Sequence, residues 1–207
     1  MSRSLAQVLS VVLHPLLLPT YLFAVVLFYM PESLLSLNVR GRWLILGMLF
    51  FTTFVIPGVG AYVMVRTGQL DSMEMDRREQ RRLPLLFTGV CYALTTYLLR
   101  RETTFDSVFY IIMLVVTASV FLTWFISLFW KVSAHSVGVG GCLGLLLLLN
   151  RLAPEAMLVF PIAIAVFLAG AVLSARLALH KHTPAQVYTG FASGLLLALA
   201  AAFTMAL

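Results

Sequence analysis

The 207 residues are 61% hydrophobic and 11% charged, and 14 Lys and Arg against 8 Asp and Glu leave a formal charge of +6. Soluble domains carry about 25% charged residues, so a chain of this composition cannot cover a water-facing surface, and its mean hydropathy of +1.00 points to lipid instead. The positive charge does not indicate nucleic-acid binding, because the Lys and Arg sit in short connections between apolar runs and form no basic stripe interleaved with aromatics.

In chain order the apolar runs predict spans at about 7–29, 44–66, 84–99, 106–129, 136–150, 156–175 and 185–206. Runs of about 17 to 25 apolar residues match the thickness of the hydrocarbon layer, and lipid offers the backbone no partner but its own helix. The expectation is an all-α, polytopic transmembrane helix bundle of six or seven spans, in one membrane domain covering 1–207. The two shortest runs, 84–99 and 136–150, account for the choice between six and seven. The first run continues past Pro15 and Pro19 without a small-residue cleavage site, so it reads as a span and not as a cleavable signal. Cys91 and Cys142 lie inside apolar runs with no CxxC spacing, which leaves neither metal nor redox chemistry and no cofactor in prospect.

With seven crossings the connections 67–83, 130–135 and 176–184 fall on one side of the membrane. They carry Arg77, Arg78, Arg81, Arg82, Lys131, His135, Arg176, Lys181 and His182, so basic groups and imidazoles converge on one face. The positive-inside rule would make that face cytoplasmic, but a phosphate site gathers Arg and Lys for its own reasons, and the sidedness stays open. His14, beside Pro15, reads as a satisfied polar group and His180 as an interfacial residue.

The third connection is the most informative. Thr183 suits a helix N-cap and Pro184 the first helical position, so His182 belongs just outside a helix N-terminus, where partial positive charge favours anions. Gln186, three residues after Thr183, fits a capping box. Lys131, Ser133 and His135 bring a cation, a hydroxyl and an imidazole to the second connection. Arg77, Arg78, Arg81 and Arg82 offer paired N–H donors of the kind that hold phosphate oxygens. The spacing Gly190-xxx-Gly194 and the glycines 138, 140, 141 and 144 predict close helix packing.

From about Asp76 to Gly194 this order resembles the type 2 phosphatidic acid phosphatase superfamily of membrane lipid phosphatases. Arg176, five residues and His182 look like its third signature, Ser133-Ala134-His135 is similar to its Ser-Gly-His, and Arg82 with Pro84 resembles its first. The sequence departs from the pattern at several places. Asp76 stands where a Lys would be counted, Leu83 separates Arg82 from Pro84, and Val132, Ala134 and Ala175 replace proline, glycine and serine. Gln186 replaces the aspartate that orients the nucleophilic histidine, and a pair of apolar runs separates the first two signatures.

The resemblance implies metal-free phosphoryl transfer from an embedded lipid phosphate. His182 is then the nucleophile, His135 the general acid and Gln186 the residue orienting His182. Arg176, Ser133, the Ala134 backbone, Lys131, Arg82 and Arg78 would bind phosphate. Phosphatidic acid, phosphatidylglycerol phosphate and a polyprenyl (pyro)phosphate all fit as substrates. The alternative is a phosphatase-like protein that binds or moves anionic lipid without cleaving it. A transporter is the poorest fit, because the sequence offers no visible inverted repeat and no intramembrane acid to couple ions.

Overall fold

The computed structural model describes residues 1–31, 35–75, 77–102 and 105–202, and among them every regular element is helical. In chain order these are α1 (Arg3–Val12), α2 (Leu18–Tyr29), α3 (Val39–Phe50), a π-helical segment (Phe51–Val55), α4 (Ile56–Arg66), α5 (Arg82–Arg101), α6 (Ser107–Phe129), α7 (Ala134–Leu152), α8 (Val159–Ala178) and α9 (Pro184–Ala200). Five stretches are long and apolar enough to cross a membrane, namely Val39–Arg66, Glu79–Arg101, Ser107–Phe129, Ala134–Leu152 and Val159–Ala178. Large apolar side chains such as Trp43, Leu44, Phe125, Phe160 and Phe167 point outward, as a lipid-facing surface requires. The protein is a multi-pass helical membrane protein.

The span count differs from the six or seven expected. The runs at 84–99 and 136–150 are full helices of spanning length, whereas 7–29 is two short helices and the helix in 185–206 is described as 17 residues, Pro184–Ala200. The break in the first run follows from Pro15, which has no N–H to donate and pushes His14 out of the helical region. Tyr21 of α2 then donates its hydroxyl to the Val12 carbonyl at 2.9 Å, satisfying a group that the break exposes. Arg42 does the same at the other end of α2, donating from its buried guanidinium to the Leu27 carbonyl at 3.2 Å.

The π segment has a similar local cause. Pro57 cannot donate to the carbonyl four residues earlier, and the wholly buried Tyr92 of α5 donates its hydroxyl to that carbonyl, Thr53, at 3.0 Å. Buried hydroxyls elsewhere turn back on their own helices. Thr88, Thr96, Thr117, Ser119 and Thr123 each donate to the carbonyl four residues before, which removes the cost of placing them at membrane depth.

Helix α7 is the central element, packed by α9, α8, α6 and α2. Its glycines explain how closely α9 lies. A Cβ on Gly140 would fall 2.2 Å from the Phe191 carbonyl oxygen, and one on Gly194 would fall 2.1 Å from that of Val137. This contact holds the start of α7, which carries His135, against the start of α9, which follows His182.

Candidate functional site

The connections before α5, α7 and α9 meet at one end of the bundle, although the seven crossings from which this was expected are not found. Arg78 donates to the Phe129 carbonyl at 2.6 Å, Arg81 donates to the Val132 carbonyl at 2.9 Å, and the Ser133 N–H donates to the Gln186 carbonyl at 3.3 Å. Glu74 and Lys181 pair across the first and third connections. Between these segments and the α1–α2 turn lies a cavity of about 770 Å³, its open mouth included. Its polar lining consists of His14, His135, His182, Arg81, Arg176 and Glu74, with Thr88 and Thr123 deeper in.

His182 is 8% exposed and its Nδ1 lies 3.1 Å from Oε1 of Gln186. The same oxygen is 3.2 Å from the Thr183 backbone nitrogen, which can only donate, so the amide orientation is settled and His182 must carry its proton on Nδ1. Gln186 therefore serves the capping box and the imidazole at once, through one atom. Burial, and after it the charges of Arg81 and Arg176, push the His182 pKa down to about 3, with Lys131 acting in the same direction and the Gln186 bond opposing it. The ring is neutral at physiological pH, with a lone pair on Nε2.

His135 stands on the first turn of α7. Its Nε2 lies 3.0 Å from the Ser10 carbonyl oxygen, an acceptor, so the proton is on Nε2 and Nδ1 is the atom open to exchange. The His14 ring meets that of His135 edge-on with centroids 5.6 Å apart, and Nδ1 of His14 accepts from the Leu16 N–H at 3.3 Å. Arg176, in the last turn of α8, extends toward α1 and donates to the Ser10 hydroxyl at 3.4 Å. No group of three or more His, Cys, Asp or Glu suited to a metal ion occurs among the described residues.

Of the site residues predicted from sequence, His135, His182, Arg176 and Ala134 line the cavity, and Gln186 sits directly behind His182. The others stand elsewhere. Ser133 is 0% exposed and caps α7, its hydroxyl accepting from the Ser136 N–H at 3.4 Å. Lys131 is half-buried and does not line the cavity, although its charge bears on His182. Arg78 ties the first connection to the end of α6 and pairs with Glu79, and Arg82 is exposed on α5. Arg81, one position earlier, is the guanidinium at the cavity. Asp76 lies outside the described residues.

Sequence reading missed Arg81 as the particular cavity arginine, read His14 as a satisfied polar group, and passed over Ser10 and Glu74. For His14 a signal existed. A histidine beside a proline in an apolar run marks an unwound segment, and unwound backbone at membrane depth is tolerated where it lines a cavity. Fold and site together define a multi-pass membrane protein with a basic, three-histidine cavity at one end of its bundle. Comparison with protein-family models, with curated proteins and with solved structures finds no match.

Proposed function

We propose that the protein is a membrane phosphoric-ester hydrolase that removes phosphate from a lipid through a phosphohistidine on His182, the activity that its resemblance to the type 2 phosphatidic acid phosphatase superfamily implies. The observation that carries this reading is the state of His182. Its Nδ1–H is committed to Gln186 and its Nε2 bears a lone pair, in a cavity lined also by Arg81, Arg176 and His135.

In the first step Nε2 of His182 attacks phosphorus, the N–P bond forms, and the P–O bond to the lipid breaks. Nδ1 of His135 takes the proton of the bound phosphate monoanion and passes it to the leaving oxygen, while the Ser10 carbonyl holds its Nε2–H. In the second step His135 takes a proton from water, whose oxygen attacks phosphorus and breaks the N–P bond, releasing orthophosphate. Arg81 and Arg176 supply positive charge to the equatorial oxygens.

The test is phosphate release by purified protein from phosphatidic acid, phosphatidylglycerol phosphate and a polyprenyl diphosphate. Turnover of at least one, reduced at least about 10³-fold by His182→Ala, is the expected result. No release from any of them, or release that survives His182→Ala, defeats the reading.

A second reading, a protein that binds or moves anionic lipid without cleaving it, draws on the neutral amide of Gln186. An amide fixes the imidazole tautomer but gives no carboxylate charge to a developing imidazolium. Turnover abolished by His135→Ala counts against it.

A further inference from the structure

Directly beneath the basic cavity is a second cavity of about 620 Å³, open space included, between α2, α5, α6 and α7. The two share Pro15, Leu16, Leu85, Thr88, Thr123 and Ala134, so they adjoin. The lower one is lined by side chains such as Leu18, Tyr92, Val116, Val120 and Leu145. Its hydroxyls are already committed. Thr88, Ser119 and Thr123 donate within their own helices and Tyr92 donates to Thr53, so nothing in the lining calls for water or for a polar ligand.

The depth of this cavity matches one leaflet. From Ala134 to Leu145 is eleven residue steps along α7, about 17 Å at 1.5 Å per residue, against a hydrocarbon layer of about 30 Å. Further along α2 and α6, Phe23 and Phe109 are both 0% exposed with their rings 6.2 Å apart. Another apolar cavity of about 590 Å³ lies on the other side of α2; it shares no residue with the basic cavity and meets the lower one at Leu18 and Cys142. The wall between them is tight, since a Cβ on Gly138 of α7 would stand 2.5 Å from the Leu18 side chain of α2.

We propose that the lower cavity holds the one hydrocarbon chain of a single-chain lipid phosphate, alkyl or prenyl, and that the site selects such esters over diacyl ones. This rests on the phosphatase reading, and adds to it the class of substrate. A chain moving from bilayer to an apolar cavity exchanges one apolar environment for another, so the chain adds little affinity. Selection is steric instead. A phosphate seated between His182 and Arg176 has one apolar outlet beneath it, and a second chain would have to part α2 from α7.

The experiment compares phosphate release from hexadecyl phosphate, farnesyl phosphate, dipalmitoyl phosphatidic acid and butyl phosphate by the full chain in detergent micelles. Wild type is compared with Gly141→Val and Val120→Trp, which fill the lower cavity. A Cβ at Gly141 meets only ordinary contacts, 3.6 Å from the Ser119 hydroxyl and 3.8 Å from the Gly194 carbonyl, and Val120→Trp gives an independent route if that variant fails to fold. The expected result is a kcat/KM at least tenfold higher for a single-chain ester than for the diacyl one, and a long-chain to short-chain ratio at least tenfold lower in either variant. The hexadecyl and farnesyl arms decide between alkyl and prenyl chains. Equal or faster release from dipalmitoyl phosphatidic acid, or a ratio unmoved in both variants, overturns the single-chain proposal and leaves the phosphatase reading intact. No release from any ester, butyl phosphate included, overturns both.

Discussion

Oε1 of Gln186 lies 3.1 Å from Nδ1 of His182, and the same oxygen closes the cap of α9 through the Thr183 N–H. A carboxylate in that place would hold the same tautomer and add charge that stabilises an imidazolium. The reverse change in a serine-protease triad costs about 10⁴ in rate, much of it through the wrong tautomer, which Gln186 already avoids. Gln186→Asp is therefore expected to raise phosphate release about tenfold, and Gln186→Leu to lower it at least about tenfold. Initial rates on one lipid phosphate check both.

Arg81 and Arg82 are neighbours in sequence with opposite surroundings. Arg81 lines the cavity and donates to the Met75 and Val132 carbonyls, while Arg82 is exposed on α5. A charged hydrogen bond to phosphate is worth about 1.5–3 kcal/mol, or about 10- to 100-fold. Arg81→Ala should lower kcat/KM by at least that much and Arg82→Ala by less than about threefold. Arg81→Lys, which keeps a cation, should recover part of the loss; equal effects of the two alanine variants would show that the cavity arginine is misassigned.

The low pKa of His182 has two consequences with definite signs. In the folded protein the ring stays neutral down to about pH 3, whereas in the unfolded chain it protonates near 6.5. Between those values the unfolded state binds the extra proton, so this contribution to stability is full above about pH 6.5 and is lost as pH falls, by up to about 1.4 kcal/mol per pH unit. Thermal unfolding in detergent at pH 7 and pH 5 should show a smaller acid shift for His182→Gln than for wild type. In addition, phosphohistidine formation in a single turnover should show no acid limb near pH 6.5 that disappears in a variant lowering the His182 pKa further.

Ser10 comes from α1 and His14 from the turn after it, outside the stretch that resembles phosphatases. His14→Phe keeps the ring volume and removes the donor, and is expected to lower kcat/KM about tenfold, the effect of losing one hydrogen bond to an anion. Ser10→Ala removes only the hydroxyl that meets Arg176 and keeps the carbonyl that meets His135, so its effect should stay within about threefold. A Ser10→Ala loss as large as that of His14→Phe would mean that the hydroxyl, and not the carbonyl, organises this corner of the site.

Close approach of α7 and α9 sets the distance between the two proposed catalytic histidines. Gly194→Ala would drive a methyl to 2.1 Å from the Val137 carbonyl oxygen, while Gly170→Ala on α8 meets nothing within 4 Å. Overpacking of this kind costs about 1–3 kcal/mol, so Gly194→Ala should lower both the unfolding temperature and activity. Gly170→Ala should be neutral, or stabilising by up to about 1 kcal/mol through helix propensity.

Composition and run length alone determined that this is a helical membrane protein, because lipid permits the backbone no other solution. The capping-box pattern likewise put Gln186 in the first turn of α9, while its pairing with His182 was implied by the family resemblance, and the meeting of the three basic connections was expected from seven crossings where five stretches are long enough to span. Packing alone decided the rest. Whether Arg81 or Arg82 faces the cavity turns on one step of about 120° around a short 3₁₀ turn, and Ser133 is consumed by the cap of α7. Ser10 reaches His135 and Arg176 across 125 and 166 residues of chain, which happens because α1 lies along α8 after Pro15 breaks the first run. Spacing in sequence governs neighbours within a turn of helix, and contacts over such separations depend on how whole helices fit, which no local pattern encodes.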